Sequence, residues 1–329
     1  MAYAIDMHCD TLMTTFYEHG ADSDFFDIPS QNLDVKRMMA GKTMAEFMAI
    51  FFPPEQYYTD VMHIEPVPYD THIANCIKVM NNTLERYPDL VKQAYNSEDI
   101  ERNFRDGKIS LVLTMEDGVA VQGDMRRLDA FYELGVRAMT LTWNFENCFG
   151  APNSKDPIIM NKGLTNFGRE AVRHMQDIGM LVDVSHVSDG VFWDVCRQAK
   201  VPFVATHSNS RALCDHTRNM TDDMIRALAE KGGCMGLNIA PQFLDDTPGN
   251  KESRIRDLVA MARHEKEVGG IGVVAVGTDF DGTTGHLELN GPDKMPMLCD
   301  ALIRDGFTAD EVDLIMYGNV LRVLKEAVK

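Results

Sequence analysis

Short apolar, β-rich runs alternate along this chain with stretches of helical spacing. Ala2–Met7 predicts a first strand that runs out on the polar cluster His8-Cys9-Asp10. Glu46–Phe52 predicts a second, stopped by Pro53-Pro54, Ile109–Met115 a third that delivers Glu116, and Ala138–Thr142 a fourth. The rhythm then becomes regular. Asn166–Ile178 has helical spacing and ends at Gly179; Met180–Val184 reads as a strand delivering Ser185-His186. Ser188 caps a helix to about Ala199, and Val201–Thr206 reads as a strand delivering His207. Thr221 caps the next helix, whose opening Asp222-Asp223 suits the positive end of the helix dipole, and Gly232-Gly233 closes it. Cys234–Ile239 is the seventh strand. Glu252–Val268 has helical spacing up to Gly269-Gly270, and Val273–Gly277 is the eighth strand, delivering Asp279.

Eight strands with helical material between most of them predict a closed (β/α)8 barrel of the TIM type rather than a doubly wound sheet, with residues 1–329 as one domain. Residues 53–108 hold a Pro-rich loop and helices near 73–86 and 97–104 but no further strand, so they read as an insertion after strand two. Residues 292–328 read as C-terminal helices packed on the outside.

Composition narrows the class. The 329 residues, 45% hydrophobic, suffice for a barrel, which needs roughly 250 residues. Fifty acidic against 32 basic residues give a formal charge of −18. A surface that negative repels phosphate backbones and anionic headgroups, which argues against nucleic-acid and membrane-surface partners. The seven cysteines are odd in number and contain no CxxC pair, a scatter that suits reduced thiols and a cytoplasmic location. The N-terminus MAYAIDMHCD lacks a basic, apolar leader pattern, and no run approaches the roughly 20 apolar residues of a membrane span.

The candidate chemistry lies where the strands stop. In a barrel every strand's C-terminal end opens onto one shared face, and that face carries the active site. His8 and Asp10, Glu116, His186, His207 and Asp279 each follow a separate strand. Barrel closure would gather two histidines, a glutamate and a His-x-Asp pair into a set of imidazoles and carboxylates, which suits Zn²⁺ or another divalent transition ion with open positions for water. Taken singly, each has an ordinary alternative. Alone, His186 and His207 read more readily as hydrogen-bonded core histidines, Asp279 reads equally as a turn cap in TDFDG, and Glu116-Asp117-Gly118 reads as a plain turn. Their coincidence at one end of different strands favours the metal. The other seven histidines, at 19, 63, 72, 174, 216, 264 and 286, fall mostly on helices or loops and read as surface residues.

DMHCDT at the N-terminus, MEDG at strand three, LVDVSHVS, THSNSRALCDHTRN and VGTDFDG, in this order, resemble the renal (membrane) dipeptidase family of zinc metallopeptidases over essentially the whole chain, most closely from Gly163 to Asn219. The resemblance implies a zinc-dependent dipeptidase with two ions per chain and a metal-bridging hydroxide. It assigns His8 and Asp10 to one ion, His186 and His207 to the other, and Glu116 to both. It makes Arg218 a clamp for the substrate's terminal carboxylate, sets Asp279 beside the scissile amide to carry the proton, and suggests a homodimer. One position departs from the pattern. The family's mammalian members carry a histidine after the T-L-T of strand four, where this chain has Trp143-Asn144. The indole N–H of Trp143, the amide of Asn144 or the metal alone is left to stabilise the oxyanion. The same ligand set would also serve an amidohydrolase acting on N-acyl amino acids or on other non-peptide amides and lactones, because a fold does not fix a substrate.

Overall fold

The computed structural model describes residues 3–329. The strands are β1 (Ala4–Cys9), β2 (Thr43–Phe51), β3 (Val91–Gln93), β4 (Ile109–Glu116), β5 (Ala138–Thr140), β6 (Leu181–Asp183), β7 (Val204–Ala205), β8 (Cys234–Leu237), β9 (Glu252–Ser253), β10 (Val274–Val276) and β11 (His286–Leu287). β1, β2, β4, β5, β6, β7, β8 and β10 pair side by side, all parallel, and the β10–β1 and β2–β4 pairings close them into the expected eight-stranded barrel. Residue Ala2, the expected start of β1, lies outside the described residues.

Alternation along β4 shows how the barrel is filled. Ile109, Leu111, Leu113 and Met115 join the apolar layer under the surrounding helices. Val112 joins the opposite cluster, together with Phe47, Ala138, Leu181, Val204 and Ala275 of the neighbouring strands. Strand side chains alternate faces, so Glu116, four residues beyond Val112, points to the same inner side at the barrel's C-terminal rim. The last helix, Asn319–Ala327, places Val320, Val323, Leu324 and Ala327 in that inner cluster and so covers the barrel's opposite end. It seals the floor, a role beyond the outside packing expected of the C-terminal helices.

Three expectations are corrected. The 53–108 segment does contain a strand. β3 pairs with Ile109–Leu111, the lower half of β4's edge, while β5 takes the upper half from Thr114 to Glu116. With only three residues, Val-Lys-Gln, it carries no readable alternation. The helix expected from Glu252 begins at Ile255, because Glu252 and Ser253 form β9 and pair with β11. His72 is fully buried rather than a surface residue, bonded through Nε2 to the Phe51 carbonyl at 2.8 Å and through Nδ1 to the Tyr17 hydroxyl at 2.9 Å.

Candidate metal centre

The strand ends bring His8, Asp10, Glu116, His186, His207 and Asp279 together. Three overlapping groups each offer ligand atoms within 4.8 Å of one another: His8 with Asp10 and Glu116, Glu116 with His186 and His207, and His8 with His207 and Asp279. Glu116 joins the His8–Asp10 group to the His186–His207 group. Its Oε1 lies 2.9 Å from His186 Nε2 and 3.4 Å from His207 Nε2, and its Oε2 lies 3.4 Å from His8 Nε2. The two imidazoles of β6 and β7 face each other with their Nε2 atoms 3.0 Å apart. The His8 ring stacks on that of His207 with 3.8 Å between centroids.

Backbone strain marks the same rim. Asp117, His186 and Asp279 all have positive φ, at 77°, 66° and 67°. Non-glycine residues persist there only where their surroundings hold them, and they gather at functional sites. At Gly282, any Cβ would collide with Asp10 Oδ2 and Asp279 Oδ1, so this turn accepts no side chain.

The electrostatics are those of a crowded, dry cluster. Burial alone would raise the Glu116 carboxyl, but the imidazoles of His8, His186 and His207 outweigh it and hold Glu116 well below the usual carboxylate range. Burial likewise disfavours a charged His8, and Glu116, Asp10 and Asp279 reverse this, raising it to about 10. Burial, with Arg218 nearby, lowers His186 to about 4 and pulls His207 well below the ordinary histidine range. Asp10 is pushed well up by burial and by Glu116, and burial raises Asp279 to about 6. Protons alone serve this set poorly. His8 Nε2 and Asp10 Oδ1 are buried with no hydrogen-bond partner, a costly state for polar atoms. A cation between them would satisfy both, so the donor set fits a divalent metal.

Behind this set stand residues that no motif in the sequence marks. Asp183, inside β6, accepts from Thr140 Oγ1 and Thr206 Oγ1 at 2.5 Å each and from the backbone N–H groups of Ser185 and Thr206 at 2.9 Å each. Thr206 Oγ1 in turn meets His207 Nδ1 at 2.8 Å. On the opposite wall Asp6 accepts from Thr278 Oγ1 at 2.6 Å and Thr278 N at 2.8 Å. Asn238 donates to Asp279 Oδ2 at 3.1 Å. A carboxylate within an otherwise apolar strand was the available signal for Asp6 and Asp183.

Around the rim, Trp143 packs 5.0 Å from Phe51 and 6.1 Å from His186, centroid to centroid. Asn144 turns its amide oxygen to His186 Nδ1 at 3.2 Å. Arg218 is buried, with Nη1 bonded to Ser208 Oγ at 2.6 Å, Nη2 to the His207 carbonyl at 2.8 Å, and Nε unpartnered. Its hydrogen bonds thus go to uncharged oxygens, and its guanidinium lies 5.6 Å over the Phe243 ring.

A family model described as membrane dipeptidase (peptidase family M19) matches residues 2–329. The chain belongs to the membrane dipeptidase family. It is accordingly a metallo-dipeptidase, an enzyme whose substrates are small peptides. Among similar membrane dipeptidase relatives is a dipeptidase of Claviceps purpurea, 29% identical over 324 residues, covering 96% of this chain and 74% of that protein. An uncharacterized dipeptidase of Schizosaccharomyces pombe is 31% identical, over 93% of this chain and 74% of its own length. Among solved structures, a metallo peptidase from Rhodobacter sphaeroides, liganded with a phosphinate mimic of the dipeptide L-Ala-D-Ala, superposes with a TM-score of 0.85 at 25% identity, over 99% of both chains. No helix among the described residues is long and apolar enough to cross a membrane.

Proposed function

We propose that this family member is a zinc-dependent dipeptidase of the cytoplasm, with two zinc ions per chain held in one barrel domain. His8 and Asp10 hold one ion, His186 and His207 the other, and Glu116 holds both. The observation that carries this reading is the position of Glu116, whose two oxygens face the His8 side and the His186–His207 side separately. When bound, such ions would activate water as a nucleophile near neutral pH and polarise the scissile carbonyl.

The chain's own residues do the rest. Arg218 offers a buried guanidinium whose present partners are neutral, so a substrate's terminal carboxylate gives it the opposite charge it lacks. A longer peptide would set an amide there instead, which restricts hydrolysis to dipeptides. Asp279, steadied by Asn238, takes a proton at its carboxylate and returns it to the leaving amine. Trp143 lies beside His186 and walls the substrate's side chain. Asn144, whose oxygen faces His186 Nδ1, fixes that ring with Nε2 directed at Glu116 and so acts as a positioning residue. The indole N–H of Trp143, the amide N–H of Asn144 or the metal is left to stabilise the oxyanion.

The test is a panel of L,L- and L,D-dipeptides, with N-acyl amino acids alongside, assayed after chelation and again after Zn²⁺ is restored. Metal-dependent cleavage of dipeptides alone is expected. Cleavage of N-acyl amino acids alone would replace the dipeptidase reading with a broader amidohydrolase.

A further inference from the structure

Arg218 lies in the loop between β7 and the helix Asp222–Glu230. A single side chain in the same loop, Arg211, spans the backbone on both sides of it. Arg211 Nε donates to the Asn219 carbonyl at 2.9 Å, and Nη2 donates to the Thr217 carbonyl at 3.1 Å. The Arg211 backbone N–H also bonds to the Met220 carbonyl at 2.8 Å. The guanidinium is itself fixed from outside the loop. Nη1 and Nη2 meet the two oxygens of Asp189 at 2.9 Å each, a bidentate pair. Asp189 opens the helix Asp189–Gln198, which follows directly on the His186 turn and is capped by Ser188 Oγ on Val191 N at 3.1 Å.

The carbonyls before and after Arg218 are therefore tied, through one planar fork, to the element that follows His186. We propose that Arg211 and Asp189 are positioning residues that set Arg218 at a fixed reach from the metal centre. The assignment rests on the reading of Arg218 as the carboxylate clamp.

The physical argument is one of tolerance. A long, flexible side chain selects a carboxylate at one distance only if its backbone is held, and a shift of about 1 Å in a reacting or binding group costs on the order of 100-fold. The Arg218 side chain is held at its tip by two neutral partners and by Phe243, which leaves the position of its backbone to the loop. The Asn219 side chain ties that loop to the Cys214 and Phe243 carbonyls, and the bidentate pair ties it to the helix that follows His186. Lysine cannot replace Arg211, because a single ammonium cannot satisfy two carboxylate oxygens and two carbonyls in one plane.

The test uses the zinc-replete enzyme and two substrates, a dipeptide and its C-terminal amide, compared by kcat/KM. The dipeptide-to-amide ratio reads the clamp alone, since the amide has no terminal anion. Arg218→Ala is expected to collapse the ratio. Arg211→Lys and Asp189→Asn are expected to lower it roughly tenfold or more through KM for the dipeptide, with amide hydrolysis, kcat and zinc content unchanged. If Arg218→Ala collapses the ratio while both other variants keep the wild-type value, the positioning role is overturned and the clamp survives. An equal fall for both substrates, or lost zinc, would make Arg211 and Asp189 merely structural and would also overturn it. A ratio unmoved by Arg218→Ala itself would remove the clamp reading first. Arg211→Lys and Asp189→Asn keep side-chain volume, so the test does not depend on a truncated variant folding.

Discussion

The wall that carries His186 and His207 has its polar groups supported in depth, whereas the wall that carries His8 and Asp10 leaves two buried atoms without partners. On the first, Asp183 holds three strands together through Thr140, Ser185 and Thr206, and Thr206 passes that order to His207 Nδ1. Asn144 does the same for His186 from the β5 end. On the second, Asp6 ties β1 to Thr278, but nothing bonds His8 Nε2 or Asp10 Oδ1. One half of the cluster is held by protein contacts, and the other has two buried atoms that a cation would satisfy. Outer partners of this kind fix ligand orientation and commonly change metal affinity by roughly 10- to 100-fold.

Glu116 is the residue that faces both walls. Glu116→Gln removes the charge that faces both walls, and we expect hydrolysis to fall on the order of 10³-fold or more, about 4 kcal/mol of transition-state stabilisation, with zinc lost from both halves by elemental analysis. Zinc lost from one half only would separate the walls and end Glu116's bridging role. Next comes Asp183→Asn against Asp6→Asn. Asp183 accepts four hydrogen bonds, and disturbing them should destabilise the fold by roughly 3 kcal/mol and weaken zinc binding roughly 10- to 100-fold. Asp6→Asn should weaken zinc binding less. Equal losses, read by thermal unfolding and a competing chelator, would erase the difference between the walls. The smallest effect is expected for Asn144→Leu, about tenfold in zinc affinity, with dipeptide KM unchanged; a rise in KM without zinc loss would return Asn144 to the substrate.

The barrel was legible because most of its strands are largely apolar runs bounded by polar residues or, after β2, by Pro53-Pro54. The rim residues were legible for the same reason: His8, Glu116, His186, His207 and Asp279 are the polar residues at those ends. What stayed hidden has physical causes. β3 and β9, with three and two residues, are too short to show a period. His72 is buried by the insertion folding back on Phe51 and Tyr17, a long-range contact with no local signature. Asp6 and Asp183 act behind the ligands, where only the pairing of neighbouring strands reveals which threonines meet them. Arg211, seven residues before Arg218, gains its meaning only when the loop turns and Asp189 arrives from another element.

The most direct test of the binuclear cage is anomalous scattering at the zinc edge from crystals of the zinc-loaded enzyme. Two peaks are expected, one against His8 and Asp10 and one against His186 and His207, with Glu116 reaching both. A single peak, or density away from Glu116, would contradict it.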